Sequence, residues 1–539
     1  MKPKVFKLNI ILTVLVGVGL VFISCQSLDT ASLNEPDTER ALGTPEDVEA
    51  LIKGSMLAWF RAHNRWGVEH MGVMADALTW SWGNFGGQDM SSEPRIAYPN
   101  NTSYVYQSHL DLPWQRMFSA LSAASDGLRQ IRTGGLIIEN ETRTHRAEAF
   151  AKLVQGLATG YIACFYDRAF ILDETVNIDE VGPAITLDQY SPYQEVMATA
   201  IAQLEEAIEL LETGPAIETE EDWVNGVIMT NEDLAKVAHS YTARYLAQVA
   251  RSPEERAAVD WNKVKSHAER GVTEAFAPQG DGTFGDWWHS QQWFHNDRGA
   301  SWGRLDYKMI GGADESDGYQ NWLNTPVQQR TEFDMVTGDQ RLSGITIKNH
   351  ADEDVDGGIY AGNWGASPFR ANRGTYHFSK YGYYRYENFG LSGNQGPMPI
   401  FLPEENDFLI AEALLRMGDA AGAAALIDKT RVTNGGYSPA MEASGGNIGN
   451  PDDPRSPLNG SSLWAMLKYE KHLECLMTGA GLEYFDNRGW GDLVTDTPLH
   501  APVPAEELEV LRESVYTFGG GGPGSAPKLS AGPPPRVPD

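Results

Sequence analysis

The fold is decided by residues 407–431, which read DFLIAEALLRMGDAAGAAALIDKTR. Apolar side chains recur at helical spacing before the Gly418-Asp419 pair and again after it, which predicts two helices joined by a very short turn. A Gly-Asp pair is suited both to end one helix and to begin the next. The small alanines at 423–425 allow the second helix to pack closely on the first. The stretch therefore predicts an antiparallel helical hairpin.

This hairpin, about residues 404–433, resembles a tetratricopeptide unit. The same periodicity predicts further hairpins within about residues 141–276, and single helices near both ends of the chain. The predicted helices are about 44–62, from 112 onward, 141–166, 191–213, 231–250, 261–276, 404–417, 420–433 and 461–477. Their separations follow no strict repeat, so an ordinary helical bundle is the alternative. We predict a mainly α fold in which tetratricopeptide-like hairpins pack against a loop-rich subdomain with little β structure.

Two regions lack helical periodicity and are rich in Trp, Gly and Asn. They are residues 64–111 and an insert at about 277–400, where a short strand pair is expected near 375–381. From Gly519 onward the chain holds six glycines and six prolines in 21 residues. Such a composition cannot bury enough apolar surface to fold, so 519–539 is predicted to be a disordered tail.

The amino terminus has the features of a targeting segment. Lysines at positions 2, 4 and 7 precede a mostly apolar run from Leu8 to Ile23, which is shorter than the ~20 residues that span a bilayer. The run ends at Ser24-Cys25, which is similar to the cleavage site of bacterial lipoproteins, where the cysteine is acylated. We therefore predict a signal peptide at 1–24 and lipidation of Cys25. The alternative is that Cys25 is an incidental residue near an ordinary cleavage site.

Charge and cysteine content exclude several classes of function. The 539-residue chain carries 73 acidic and 42 basic residues, a formal charge of −31, which argues against nucleic acid as a ligand. Anionic lipid headgroups repel such an acidic surface. Acyl chains rather than a basic patch would therefore hold the protein on a membrane. Three cysteines exclude a disulfide framework and a four-cysteine zinc site.

Four segments together carry a family resemblance. They are Ala411–Asp419 with Thr430-Arg431-Val432, Glu470–Glu474 with Tyr484–Gly491, Pro498–Leu508, and Gly338–Arg341. With the lipoprotein signal and the Trp-rich loops, they make residues 25–518 similar to the SusD/RagB family of outer-membrane nutrient-binding lipoproteins. The resemblance implies a lipid-anchored protein of the cell outer membrane that faces the cell exterior and binds an oligosaccharide or another small nutrient. It further implies delivery to a TonB-dependent SusC-like transporter, with no enzymatic activity and no resident cofactor.

Catalytic candidates have weak support in the sequence. No Gly-x-Ser-x-Gly elbow or His-Glu-x-x-His helix occurs, and Cys164 and Cys475 lie in apolar surroundings expected of core residues. Four acids near the carboxyl end provide the types of residue that a glycosidase pair needs: Glu470, Glu474, Glu483 and Asp486. The alternative for Glu470 and Glu474, which we favour, is an ordinary solvated helix surface with lysines nearby.

One acidic run has the spacing of half a calcium loop. Asp352, Asp354 and Asp356 occupy positions 1, 3 and 5, and Gly357 occupies position 6, where a sharp turn is needed. Position 12, normally a bidentate Glu, is Asn363. A calcium site at Asp352, Asp354 and Asp356 is one hypothesis, and a plain acidic turn is the favoured alternative.

Aromatic residues in the loops are the strongest functional feature. Flat rings stack on sugar faces, while amides and carboxylates bond hydroxyls. We predict that the loops Trp80–Asn84 and Trp287–Trp302 converge on one exposed face as a ligand platform. The predicted binding residues are Trp80, Trp82, Asn84, Trp287, Trp288, Trp293 and Trp302. The alternative is that these tryptophans pack the loops onto the helices.

Two other functions remain open at this point. One is a secreted glycan-degrading enzyme, which turnover of a glycan would reveal. The other is a tetratricopeptide scaffold that binds only protein. The sequence does not identify the ligand, since peptides and other nutrients serve some members of the family.

Overall fold

The computed structural model describes residues 42–64, 69–80, 86–292, 303–349, 351–365 and 379–521. Within these ranges the chain is mainly helical with short strands, which confirms the predicted fold class. The signal segment and Cys25 lie outside the described residues. Gly519 bridges to Ala97, and the Gly520 amide donates to the Asp496 carbonyl. The predicted tail boundary at 519 is therefore too early, because the chain still pairs with the body there.

Helices occur throughout the described part of the chain. They are α1 Pro45–Asn64, α2 Glu69–Met74, α3 Gly87–Met90, α4 Ser108–Arg132, α5 Glu141–Phe165, α6 Ile178–Val181, α7 Tyr193–Thr213, α8 Asn231–Gln248, α9 Pro253–Ala257, α10 Trp261–Ala268, α11 Tyr307–Ile310, α12 Gly318–Asn324, α13 Glu387–Leu391, α14 Pro403–Arg416, α15 Ala420–Arg431, α16 Ala440–Ser444, α17 Leu463–Cys475, α18 Leu482–Trp490 and α19 Ala505–Val510. Among the residues described, none of these helices has the length and apolar character needed to cross a bilayer.

The long helices form one continuous array. Helix α1 packs on α4, α4 on α5, α5 on α7 and α7 on α8. The array continues from α8 to α10 and from α10 to α14, which pairs with α15, and α17 covers both of these. Two of the predicted hairpins are therefore α5/α7 and α14/α15. The third is α8/α10, whose second helix ends at Ala268 rather than near 276.

Local chemistry explains why the α14/α15 hairpin forms. Gly418 has a φ of 83°, a left-handed conformation that glycine adopts without a side-chain clash. The Asp419 carboxylate then accepts the Gly422 amide at 2.8 Å, which caps α15. In the α5/α7 pair, a Cβ at Gly156 would lie 2.5 Å from the Leu204 side chain. Glycine at this position allows the close approach of α7.

The strands are short and mostly belong to the insert. They are β1 Leu78–Trp80, β2 Arg168–Ala169, β3 Ser191–Pro192, β4 Gln279–Asp281, β5 Gly303–Leu305, β6 Ile345–Lys348, β7 Asp354–Gly357, β8 Ala361–Asn363, β9 Tyr381–Tyr383 and β10 Gln395–Pro397. Strands β6-β7-β8-β9 make one antiparallel sheet, and β1-β5, β4-β10 and β2-β3 make antiparallel pairs.

The segments that carry the family resemblance meet in buried ion pairs. The Arg256 guanidinium donates to both oxygens of Glu412 at 2.8 and 2.7 Å and to Asp486 at 3.0 Å. The Trp490 indole also donates to Glu412, at 3.2 Å. These contacts join α9, α14 and α18 in the interior. The resemblance therefore lies largely in residues that hold the helices together.

A second buried cluster surrounds Arg341. Its guanidinium donates to Asp339, Glu470 and Glu474 over distances of 2.6–2.9 Å, and none of these four side chains has accessible surface. The Tyr360 hydroxyl donates to the second oxygen of Glu474 at 2.8 Å. The expectation that Glu470 and Glu474 form a solvated helix face is wrong, because an arginine distant in sequence neutralises them in the core.

Candidate functional site

Two of the aromatic segments are joined at their bases by a strand pair. Strand β1 lies antiparallel to β5, with Trp80 opposite Gly303 and Thr79 opposite Arg304. Trp80 directly precedes 81–85, and Gly303 directly follows 293–302. The flanks of these two segments therefore lie side by side.

A third segment, 366–378, is flanked by the neighbouring strands. Strand β8 pairs with β9, with Asn363 opposite Tyr381, and β9 packs on β5. Trp364 directly follows β8 and Tyr384 directly follows β9. Their rings are stacked, with centroids 6.0 Å apart. The Arg304 guanidinium lies 4.9 Å from the centroid of the Trp364 ring. We call Trp80, Arg304, Trp364 and Tyr384 the aromatic frame.

The predicted tryptophan platform is wrong for the three tryptophans that the structure describes. Trp80 is 1% exposed, Trp287 is 7% exposed and Trp288 is 0% exposed. Trp287 packs on Phe60 at 4.8 Å and Trp288 on Phe284 at 4.8 Å between ring centroids. These rings have no free face for a sugar, because they anchor the bases of the loops. The other predicted binding residues, Trp82, Asn84, Trp293 and Trp302, lie outside the described residues.

Hydrogen-bonding groups lie beside the aromatic frame, where Asp334 is exposed and Asn363 and Lys380 are partly exposed. The Asp334 carboxylate accepts from the Asn363 amide at 2.8 Å and from the Lys380 ammonium at 3.0 Å. The hydrogen bond from Lys380 is the main cause that holds the pKa of Asp334 below its usual value. Asp334 is therefore ionised at neutral pH. Together these three side chains offer both donors and acceptors to a hydroxylated ligand.

The carboxylates considered for glycosidic catalysis are engaged in the core. Glu470 and Glu474 are held by Arg341, and Asp486 is held by Arg256, with Lys471 2.7 Å away. Glu483 is buried, and burial raises its pKa to about 8, so it is largely protonated at neutral pH. A glycosidase needs its two carboxyl groups on opposite sides of an open cleft. This arrangement instead stabilises the fold.

Both described cysteines are core residues, as predicted. Cys164 and Cys475 are free and buried. Burial raises the pKa of the Cys164 thiol to about 11 and that of Cys475 well above its usual value. Neither is a thiolate at neutral pH, so neither is poised as a nucleophile.

The acidic run lies in an exposed hairpin. Asp352 is in the turn with a φ of 63°, and Asp354 and Asp356 are on β7, opposite Lys348 and Thr346 of β6. Asp354 pairs with the Lys348 ammonium at 2.7 Å, and Asp356 accepts the Gly344 amide at 3.1 Å. Within the described residues, no three His, Cys, Asp or Glu side chains are grouped closely enough to hold a metal ion. Calcium binding stays a prediction that this hairpin geometry does not support.

A groove that the sequence analysis missed borders α4. It encloses about 720 Å³ and has aromatic walls from Trp114, Phe118, Phe170 and Tyr190. The rings of Trp114 and Phe118 lie 4.7 Å apart, and those of Trp114 and Tyr190 are stacked at 6.3 Å. We call this cavity the α4 groove. The i, i+4 spacing of Trp114 and Phe118 could have indicated one aromatic wall of the groove. The opposite wall comes from segments that are distant in the sequence.

Comparison with known proteins gives similarity in structure and none in sequence. No family model matches the chain, and no curated protein matches it. A SusD superfamily protein from Parabacteroides distasonis superposes with a TM-score of 0.56 at 11% identity, covering 87% of this chain and 97% of its own. One from Bacteroides thetaiotaomicron gives a TM-score of 0.53 at 15% identity, covering 87% and 96%. A SusD-like carbohydrate binding protein from Bacteroides vulgatus gives 0.50 at 13% identity, covering 81% and 82%. These similarities establish the fold.

Proposed function

We propose that this chain, which has the fold of the SusD superfamily, is a lipid-anchored outer-membrane protein that binds an oligosaccharide and delivers it to a TonB-dependent SusC-like transporter. The observation that carries the proposal is the superposition of 87% of the chain on proteins of that superfamily. One structure with the same fold is described as a carbohydrate binding protein. Three of the four segments that resemble the family in sequence contribute residues to the buried ion pairs of this chain.

The geometry at the aromatic frame supports binding at the loops. Three Trp- and Tyr-containing segments have their flanks together there, on strands fixed by buried rings. A rigid base with variable loops is the usual arrangement of a recognition surface. Asp334, Asn363 and Lys380 add the hydrogen-bonding groups that a hydroxylated ligand needs.

Binding without catalysis is the function that the carboxylates favour. The acids that suggested a glycosidase are neutralised by buried arginines or protonated through burial. A secreted glycan-degrading enzyme therefore has no support from these residues. Delivery to a transporter rests on the fold, and isolation of the protein from membranes together with a TonB-dependent transporter tests it.

Lipidation gives the first prediction. Cys25→Ala removes the thiol that acylation requires, so we expect the variant to leave the outer-membrane fraction and appear in the soluble fraction. Fractionation with immunodetection measures the shift. Ser24→Ala is the matched control, because it keeps a small residue before the cysteine and should leave the protein in the membrane. A Cys25→Ala variant that stays in the membrane fraction would contradict the anchor.

A further inference from the structure

The α4 groove has apolar walls and an acidic end. Its walls include Phe118, Phe170 and Leu511, and Val510 at its rim is 78% exposed. At the acidic end the Glu507 carboxylate accepts the Tyr190 hydroxyl. An aromatic, partly exposed cavity of this size on an otherwise acidic surface is a ready site for a ligand.

The negative charge at this end is not balanced within the described residues. In the described part of the chain Glu507 accepts from the neutral Tyr190 hydroxyl, and Glu506 accepts from the neutral amides of Gln107 and Gln115 at 2.6 and 3.2 Å. Neither carboxylate forms an ion pair in the described part of the chain. Burial and the neighbouring Glu506 raise the pKa of Asp111 to about 7. Of these three acids only Glu507 lines the groove, so a cation bound there would pair with a carboxylate that has no cationic partner in the described part of the chain.

We propose that the α4 groove is a binding site for a basic, proline-containing peptide segment, and that its occupant is residues 528–538 of this same chain, with Arg536 at Glu507. The segment reads KLSAGPPPRVP. Both of its cations stand next to an aliphatic residue, Lys528 beside Leu529 and Arg536 beside Val537. This site is separate from the aromatic frame and does not rest on the proposed function.

The chemistry of the segment matches that of the groove. Proline fixes φ, so three consecutive prolines favour an extended polyproline conformation, whose rings dock in aromatic-lined grooves at a low entropy cost. The planar guanidinium of arginine can bond a carboxylate through two N–H groups. The groove offers rings for the prolines and the Glu507 carboxylate for the arginine, since its other acid, Asp126, pairs with Arg129.

The tail is long enough to reach the groove. Glu507 lies 14 residues before Gly521, the last described residue, so at no more than ~3.6 Å per residue the two are at most about 50 Å apart. Arg536 follows Gly521 by 15 residues, which span up to about 54 Å at the same extension.

The other terminal segment is a poor match. Residues 26–41 contain four acids and one arginine. The acidic end of the groove would repel such a segment. Residues 522–539 contain two cations, Lys528 and Arg536, and one acid, Asp539. Charge complementarity therefore favours the carboxyl-terminal segment as the occupant.

A synthetic peptide of residues 522–539 tests the proposal by calorimetry on two forms of the full chain. One form is unchanged, and the other carries Pro533→Gly, Pro534→Gly, Pro535→Gly and Arg536→Gly. A tethered tail competes at an effective concentration of ~1 mM. We therefore expect the peptide to bind the quadruple variant at least ~10-fold more tightly than the unchanged chain. Equal affinities, or no binding to either form, would overturn the proposal.

Charge reversal locates the site. In the quadruple variant, Glu507→Lys should weaken peptide binding at least ~10-fold, and a peptide with Arg536→Glu should recover it. The matched control is Glu509→Lys, which makes the same charge change on α19 at an exposed residue that does not line the groove. If Glu507→Lys fails to fold, Val510→Lys at the rim serves instead. If neither groove variant changes the affinity for the peptide, the tail binds elsewhere and the proposal is overturned.

Discussion

Replacement of Arg341 by methionine is expected to destabilise the fold strongly at neutral pH. The change leaves Asp339, Glu470 and Glu474 buried without their shared cation. Removing one partner of a buried ion pair typically costs about 3–5 kcal/mol, against a total stability of ~5–15 kcal/mol. Soluble yield and thermal unfolding followed by circular dichroism measure the loss.

The pH dependence of this variant has a definite sign. Burial already raises the pKa of Glu470 in the unchanged protein, and loss of the arginine would raise it further. A carboxyl group whose pKa is higher in the folded state favours folding at low pH and loses that contribution as pH rises. The variant should therefore be more stable at pH 5 than at pH 8.

A surface arginine provides the control for Arg341→Met. Arg270 is 52% exposed and pairs with Glu212. Surface ion pairs contribute about 0–1 kcal/mol, so Arg270→Met should shift the melting temperature only slightly. Similar melting temperatures for the two variants would mean that the Arg341 cluster does not stabilise the fold.

Replacement of Trp288 by alanine is expected to destabilise the protein by about 3–5 kcal/mol. The side chain is 0% exposed, and its removal would leave a cavity at the base of the aromatic segments. The neighbouring Phe284, whose ring contacts Trp288, is 60% exposed. Phe284→Ala is therefore the matched control and should cost less than ~1 kcal/mol.

Thermal melts and ligand binding of the Trp288→Ala variant should be measured on the same sample. We expect a lower melting temperature, with any loss of binding following the loss of fold. An unchanged melting temperature with abolished ligand binding would show instead that Trp288 contacts the ligand.

Features fixed by neighbouring residues could be predicted from the sequence. The α14/α15 hairpin depends on Gly418 and the Asp419 cap, both local. The start of α1 depends on Thr44, whose hydroxyl accepts the Asp47 amide at 3.2 Å. Such signals lie within a few residues of the structure they determine, so the helical fold class followed from them.

Features formed between distant segments could not be predicted. Glu470 and Glu474 have the spacing of a surface helix, and only Arg341, more than a hundred residues earlier, makes them core residues. Similarly, the α4 groove combines Trp114 with Tyr190 and Glu507, which the sequence keeps far apart.

The burial of individual aromatic residues could not be predicted from the sequence either. Trp80 and Trp288 have neighbours typical of a ligand loop, namely Gly, Asn and Gln, yet both are buried. Composition identifies where such rings occur but not which way they face. The strands β1 and β5, which join the two segments, are only three residues long each. Strands this short gave no clear sequence signal.

Capture of an oligosaccharide without cleavage can be measured by calorimetry of the purified protein against a panel of oligosaccharides. The same samples should then be examined for the chain length of the recovered glycan. We expect saturable binding of at least one oligosaccharide class and recovery of that glycan at its original length. Absence of binding to every glycan in the panel, or recovery of shortened products, would contradict it.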